Sequence, residues 1–261
     1  MIHIINNILK KIGLFNSIKI YKDKYFENPI NLGYRKKLVE FYSMLIKTGD
    51  LCFDIGASYG NRTEAFLALG ANVITVEPQK NEFNFLKRKF ADRIVLLSNA
   101  LGSQNEVKKM FISNRGATSS LSKDWIDGVT KTKRFKNTNW NITTDVEVVT
   151  LDHLISKYGK PDFCKVDVEG YELEVLKGLS QPIKYLSFEF TVPEFMESAV
   201  ECLNQLDTLG KFVCNYSPAE SLKFGSSEWL EKEKFIELLK TFPLKNIIDG
   251  DVYIHYTNFD K

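Results

Sequence analysis

A short, nearly continuous apolar run followed by apolar residues recurring every three or four positions predicts a buried strand and a helix returning over it. Such runs stand at 51–56 (LCFDIG), 72–78 (NVITVEP), 93–101 (RIVLLSNAL), 162–168 and 183–190 (IKYLSFEF). Helical patterns follow at 62–69, 80–90, 171–177 and 193–209, and Gly70, Gly178 and Gly210 close three of them. A helix is also predicted at 32–47, with Leu38, Phe41, Tyr42, Leu45 and Ile46 on one face. The last strands are predicted at 211–217 and 251–257, with a helix at 229–239 between them. Segments 107–113 and 146–151 read as a pair of extended strands, and 114–145 as the least regular part of the chain. The alternation implies an α/β fold with a mostly parallel, doubly wound sheet, the last two strands supplying an antiparallel edge. No internal repeat or Pro/Gly/Ser-rich linker interrupts it. One domain is therefore expected at 49–261, carrying the irregular insert at 114–145 and preceded by a helical extension at 1–48.

Composition changes this picture little. The 261 residues are 44% hydrophobic, enough for one large core. A net charge of +2, from 35 basic and 33 acidic residues, leaves no global footprint for nucleic acid or an anionic membrane. Cys52, Cys164, Cys202 and Cys214 show no CxxC spacing and lie in apolar segments, where reduced cysteines act as small hydrophobes. No apolar run approaches the roughly 20 residues a bilayer requires. The stretch MIHIINNILKKIGLF lacks a basic n-region and a small-residue cleavage site, so a soluble, cytoplasmic protein without a transmembrane anchor is expected. Ile2, Ile5, Leu9 and Ile12 recur at helical spacing, and packing on the domain or on a second copy of the chain is expected ahead of a membrane-surface role.

Ligands of open doubly wound sheets bind outside the carboxyl ends of the strands. The first strand end is FDIGASYGNRTEAF, in which Gly56 and Gly60 permit a tight turn and close backbone approach. The second ends in Glu77, placed to accept both hydroxyls of a ribose. Together these suggest an adenosine-containing cofactor. A dinucleotide fingerprint needs a second glycine where this chain has Ser58, and the P-loop pattern is absent. Asp54 sits badly beside a pyrophosphate but well near a cation, and S-adenosylmethionine carries both an ammonium and a sulfonium.

The set DIGASYGNRT, VEP, SNALGS, TLDHL and above all KVDVEGYELEVLKG resembles the FkbM-type S-adenosylmethionine-dependent methyltransferases, from about residue 49 to 256. Ser58 stands where that family often has Asn. The resemblance implies a Rossmann-like class I fold, S-adenosylmethionine as cofactor, and methyl transfer to a hydroxyl of a sugar, glycan or glycosylated product. By position, it places Asp54, Gly56, Ala57 and Gly60 around the methionine part, Glu77 at the ribose, and Asn99 and Ala100 near the adenine.

Asp167, in the KVDVEG block, is the candidate catalytic residue, because an acid inside an apolar strand carries a desolvation cost that helix capping hardly justifies. It would take the proton of the attacking hydroxyl or, with Glu189 of SFEF, hold a divalent ion that lowers the hydroxyl pKa. Glu169 and Glu172 read as helix-start acids, Lys165 as a lysine whose head reaches solvent, with pairing to Asp167 on the same strand face as the alternative, and His153 as a surface residue that could serve as a base. In KTKRFK (131–136) four basic residues surround Phe135, with Trp125 and Trp140 on either side. Aromatic stacking and basic groups would suit an acidic, nucleotide-linked or lipid-linked glycan, whereas a solvated loop accounts for the pattern equally well. Two rivals stay open: an NAD-linked oxidoreductase on a similar sheet, and a non-catalytic glycan- or protein-binding module.

Overall fold

The computed structural model describes residues 29–259. The amphipathic pattern at 2–12 lies outside them. The chain runs α1 (Pro29–Tyr42), β1 (Leu51–Ile55), α2 (Asn61–Ala68), β2 (Asn72–Val76), α3 (Lys80–Phe90), β3 (Val95–Leu97), β4 (Ala100–Leu101), β5 (Glu106–Ile112), α4 (Lys123–Lys131) and β6 (Ile142–Val149). It continues through α5 (Leu151–Tyr158), β7 (Phe163–Val166), α6 (Glu172–Lys177), β8 (Tyr185–Thr191), α7 (Met196–Asp207), β9 (Phe212–Pro218), β10 (Leu230–Glu231), α8 (Lys232–Lys240) and β11 (Asp249–Tyr256).

Eight strands form the main sheet in the order β10-β9-β11-β8-β7-β1-β2-β3. The five from β8 to β3 are parallel, and β11 runs antiparallel to both β8 and β9. The antiparallel end expected of the last strands thus takes a particular form. The long antiparallel strand is inserted one place in, and the edge itself is the two-residue β10, antiparallel to β9. From β1 the chain steps to β2 and β3 on one side, then returns to β7 and β8 on the other. The order reverses between β1 and β7, where a ligand crevice opens in sheets of this type.

Strands β1, β7 and β8 are buried almost throughout, which is why they read as continuous apolar runs rather than alternating ones. One core face joins Ile55, Val166, Phe188 and Leu203 with the late helices, and the other receives α1. There Leu38, Phe41 and Tyr42 of α1 pack on Phe66 and Phe163, with the Tyr42 and Phe66 ring centroids 4.9 Å apart. Each such side chain contributes about 1.5–3 kcal/mol by leaving water. All four cysteines are buried and unpaired. No described helix is long and apolar enough to cross a membrane.

Two expectations are corrected. The strand expected at 93–101 splits: β3 stays in the main sheet, while β4 joins a second sheet of order β4-β6-β5. The insert at 114–145 is more regular than its polarity suggests. Ser122 caps α4 by accepting the Trp125 amide at 3.1 Å, and β6 begins inside the insert, pairing antiparallel with β5 from Ile142 onward.

Candidate active site

A cleft of about 520 Å³, counted to its open mouth, lies over the carboxyl ends of β1, β2, β4 and β7. The turn after β1 makes one side. Gly56 has φ +79°, and a Cβ there would stand 1.8 Å from the carbonyl oxygen of Asp167, so the turns after β1 and β7 touch through a missing side chain. The Asp167 amide donates to Ile55 O at 3.0 Å and locks the two ends together. Gly60 also needs its positive φ, +73°, but its close neighbours are the Phe90 and Leu86 side chains of α3. It serves packing of the turn.

Glu77 lies just past β2, 2% exposed, and lines the cleft. Its Oε2 accepts the Ser58 amide at 2.7 Å, and its Oε1 accepts the Gln79 amide at 2.9 Å and the Gln79 Nε2 at 3.3 Å. Burial raises its carboxyl to about 8, against the pull of those backbone donors. Gln79 in turn accepts the Ser119 hydroxyl at 2.6 Å, tying the insert to the acid. Ser58, at φ +49°, is the position where a dinucleotide turn has glycine, and its amide fixes Glu77.

Asn99 and Ala100 line the cleft at the break between β3 and β4, and Asp167 lines it at the end of β7. Asp54 and Gly60 lie beneath the turn, and neither they nor Ala57 are among the lining residues. Asp54 is 2% exposed, accepts the Thr63 hydroxyl, and has its carboxyl raised by burial.

Around Asp167 the charges differ from expectation. Asp167 sits one residue past β7 with its side chain 32% exposed, so it is not an acid buried inside a strand. The buried ion is Lys165, 2% exposed, its Nζ 3.1 Å from Asp167 Oδ2 and 2.9 Å from Asp251 Oδ1. Burial opposes its charge, and Asp167 and Asp251 outweigh that, holding the ammonium well above its ordinary pKa. The expectation of a head in solvent fails because β11 brings Asp251 beside it, and the alternative pairing with Asp167 is the one the structure shows. One carboxylate oxygen each from Asp167, Glu169 and Glu189 lies within 4.8 Å of the other two. Burial first, and then neighbouring carboxylates, push Glu169 and Glu189 well above the usual range. Glu169, at φ +56°, therefore belongs to the cleft and not to helix capping. Glu172 does hold the turn, its Oε1 accepting the Val168 and Gly170 amides at 3.1 and 3.2 Å. His153 is exposed at the start of α5, where Thr150 accepts its amide.

The insert covers this end of the sheet. Ser120 Oγ donates to Glu169 O at 2.6 Å, and the Trp125 indole lies against Gly170, where a Cβ would meet it at 2.2 Å. Trp125, Phe135, Trp140 and Phe195 form one small core, with the Trp125 and Phe135 centroids 5.7 Å apart. Arg134 is held by Glu194 at 2.7 Å and Asp249 at 3.3 Å. Of KTKRFK, then, Phe135 and Arg134 anchor the insert, while Lys131, Lys133 and Lys136 face solvent.

A doubly wound sheet with an inserted antiparallel strand, an acid after β2 and a cleft at the switch point defines the class I methyltransferase fold, and the residues around the cleft suit S-adenosylmethionine. Glu77 lines the cleft with Oε2 accepting a single hydrogen bond, Gly56 brings the β1 turn to it without a side chain, and Asp167 and Glu169 line it as well. The sequence profile of the methyltransferase FkbM domain matches residues 54–216, well over half of the chain. The chain belongs to that family and uses S-adenosylmethionine, which removes the NAD-linked reading. No curated protein matches it. Solved structures of similar shape include a TehB-like SAM-dependent methyltransferase from Corynebacterium glutamicum, at 8% identity, covering 85% of this chain and 88% of that one, TM-score 0.43. Another is a precorrin-6y C5,15-methyltransferase from Geobacter metallireducens, at 10% identity, 85% and 87% coverage, TM-score 0.42. A third is fibrillarin from Aeropyrum pernix with natively bound S-adenosyl-L-methionine, at 9% identity, 80% and 68% coverage, TM-score 0.40.

Proposed function

We propose that the protein methylates a hydroxyl of a sugar, glycan or glycosylated natural product, with Asp167 accepting the proton. The observation that carries this reading is the carboxylate of Asp167 on the cofactor cleft, at the switch point and paired with the buried Lys165. S-adenosylmethionine, when bound, supplies a methyl carbon made electrophilic by its sulfonium. Glu77 and the Ser58 turn would hold the ribose, and Asn99 and Ala100 the adenine. The chain's own part would be to hold the acceptor hydroxyl in line with that methyl carbon, and Asp167 would accept the hydroxyl proton. The insert would keep water from the reacting atoms. Were a divalent cation used, Asp167, Glu169 and Glu189 are the oxygen donors that would hold it, and its effect would be to acidify the hydroxyl.

The test is methyl transfer to a panel of glycosides and glycosylated natural products, with S-adenosylhomocysteine and methylated product followed by mass spectrometry. Asp167→Asn is expected to lower kcat by about 10²–10⁴-fold while homocysteine-product affinity holds. Undiminished turnover in Asp167→Asn would remove its role as base. Methylation at nitrogen or carbon alone would remove the acceptor class.

A further inference from the structure

The insert enters the cofactor cleft through Ala117, Ser119 and Leu121, which line it together with Glu77 and Gln79. Ser119 is 5% exposed, and both sides of its hydroxyl are used. The oxygen accepts the Ser113 amide at 2.9 Å, and the proton goes to Gln79 Oε1 at 2.6 Å. The backbone that presents this hydroxyl is pinned separately. Phe111 and Ser120 exchange amide bonds at 2.9 and 3.0 Å, the Ser119 amide donates to Gly116 O at 3.0 Å, and the Gly116 amide to Ser113 O at 3.2 Å. Gly116, at φ +64°, lies against α3, where a Cβ would stand 2.7 Å from Glu82 Oε1.

A glutamine side chain can turn either end of its amide toward a neighbour, and both neighbours of Gln79 ask for the same orientation. The Ser119 proton needs an acceptor, and Glu77 needs a donor. Oε1 therefore faces Ser119, and Nε2 faces Glu77 Oε1 at 3.3 Å.

We propose that Ser119 is a positioning residue for cofactor binding: acting through Gln79, it holds a side-chain donor on Glu77, so that the insert sets how well this acid takes the ribose. The inference rests on Glu77 holding the ribose and is independent of the acceptor. Without Ser119 the Gln79 amide is free to turn, and its oxygen repels the carboxylate it would then face. Loss of the donor disfavours the ionised acid, which burial already opposes. The acid form then persists to higher pH, and cofactor affinity falls at neutral pH. Well above that range the acid is ionised with or without the donor, and the difference closes. No other charged group replaces the lost donor. Glu82 of α3 also opposes ionisation of Glu77 and accepts the Tyr59 hydroxyl at 3.2 Å. The other charged residues lining the cleft are Asp167 and Glu169, and no lysine or arginine lines it.

Calorimetric titration of S-adenosylhomocysteine at about pH 7 and about pH 9.5 tests the role. The proteins are wild type, Ser119→Ala, Gln79→Met, the double variant, Thr118→Val and Glu77→Ala. Affinity is read as a ratio to wild type at the same pH, so that ionisation of the ligand cancels. Ser119→Ala and Gln79→Met are each expected to weaken binding about three- to tenfold at the lower pH. At the higher pH each should lie within about twofold of wild type. The double variant should bind within about twofold of Gln79→Met alone, because Ser119 acts through Gln79. Thr118→Val, which removes a hydroxyl bonded to Ser113 Oγ at 2.7 Å in the same turn, should stay within about twofold of wild type. Ser119→Ala also strands the Ser113 amide, but a loss from loosening of the turn would persist at high pH and in the Gln79→Met background. Equal weakening at both pH values, additive losses in the double variant, or Ser119→Ala indistinguishable from wild type while Glu77→Ala weakens binding would each overturn the proposal. Affinity unchanged in Glu77→Ala would sink the assignment of Glu77 to the ribose, and the proposal with it.

Discussion

Replacing Lys165 with methionine keeps the apolar stem and removes the charge. The variant leaves Asp251, 7% exposed, without its cation; its other oxygen has only the Tyr253 hydroxyl at 3.4 Å. Breaking a buried ion pair by removing one partner costs about 3–5 kcal/mol. The Asp167 arm contributes little of this, because that side chain is 32% exposed and solvent screens it. A loss near the lower end, about 3 kcal/mol, is therefore expected, or roughly 6–12 °C in Tm for a domain of this size. Urea denaturation and scanning calorimetry read it directly. The double variant Lys165→Met/Asp251→Leu removes both ends of the buried arm and should recover most of the loss, since apolar replacement of a buried pair is often neutral. Lys165 does not line the cleft, so S-adenosylhomocysteine affinity should stay within about threefold of wild type. A loss under about 1 kcal/mol in the single variant, or a double variant no more stable than the single, would refute the reasoning.

Two further outcomes follow from the cleft. Burial holds the Glu77 carboxyl at about 8, so below that pH the acid form dominates and cannot accept both ribose hydroxyls. S-adenosylhomocysteine affinity should therefore rise about tenfold between pH 7 and 9, and calorimetry of Glu77→Gln should show the dependence flattened. Gly56→Ala places a methyl 1.8 Å from the Asp167 carbonyl oxygen at φ +79° and should cost about 2–4 kcal/mol, with loss of cofactor binding. Gly49→Ala, at φ +90° with nothing within 4 Å, should cost only about 1–2 kcal/mol in the same urea assay.

The parallel half of the sheet was legible because β1, β2, β7 and β8 are mostly buried and leave nearly continuous apolar runs, broken only by single polar residues such as Asp54 and Lys165. The split between β3 and β4 was not, since pairing of Ala100 and Leu101 with Val148 and Val149 depends on a strand nearly fifty residues away. Helix α4 was hidden by the polar residues around it, although Ser122 three residues before Trp125 is a capping signal. Among site residues, Gly56, Glu77, Asn99, Ala100 and Asp167 gather on the cleft, while Asp54 and Gly60 turn out to shape the turn from below. The surroundings of Asp167 were legible only in part. That Lys165 is buried follows from Asp251, more than eighty residues on, which periodicity within β7 cannot reveal. Gln79 and Ser119 were missed for the same reason: their value lies in a contact across forty residues.

The most direct measurement is calorimetric titration of S-adenosylhomocysteine, with NAD as comparison, into wild type and Glu77→Ala. S-adenosylhomocysteine is expected to bind, NAD to give no comparable heat, and Glu77→Ala to weaken binding by about tenfold or more. Preference for NAD, or affinity for S-adenosylhomocysteine unchanged by Glu77→Ala, would contradict this expectation.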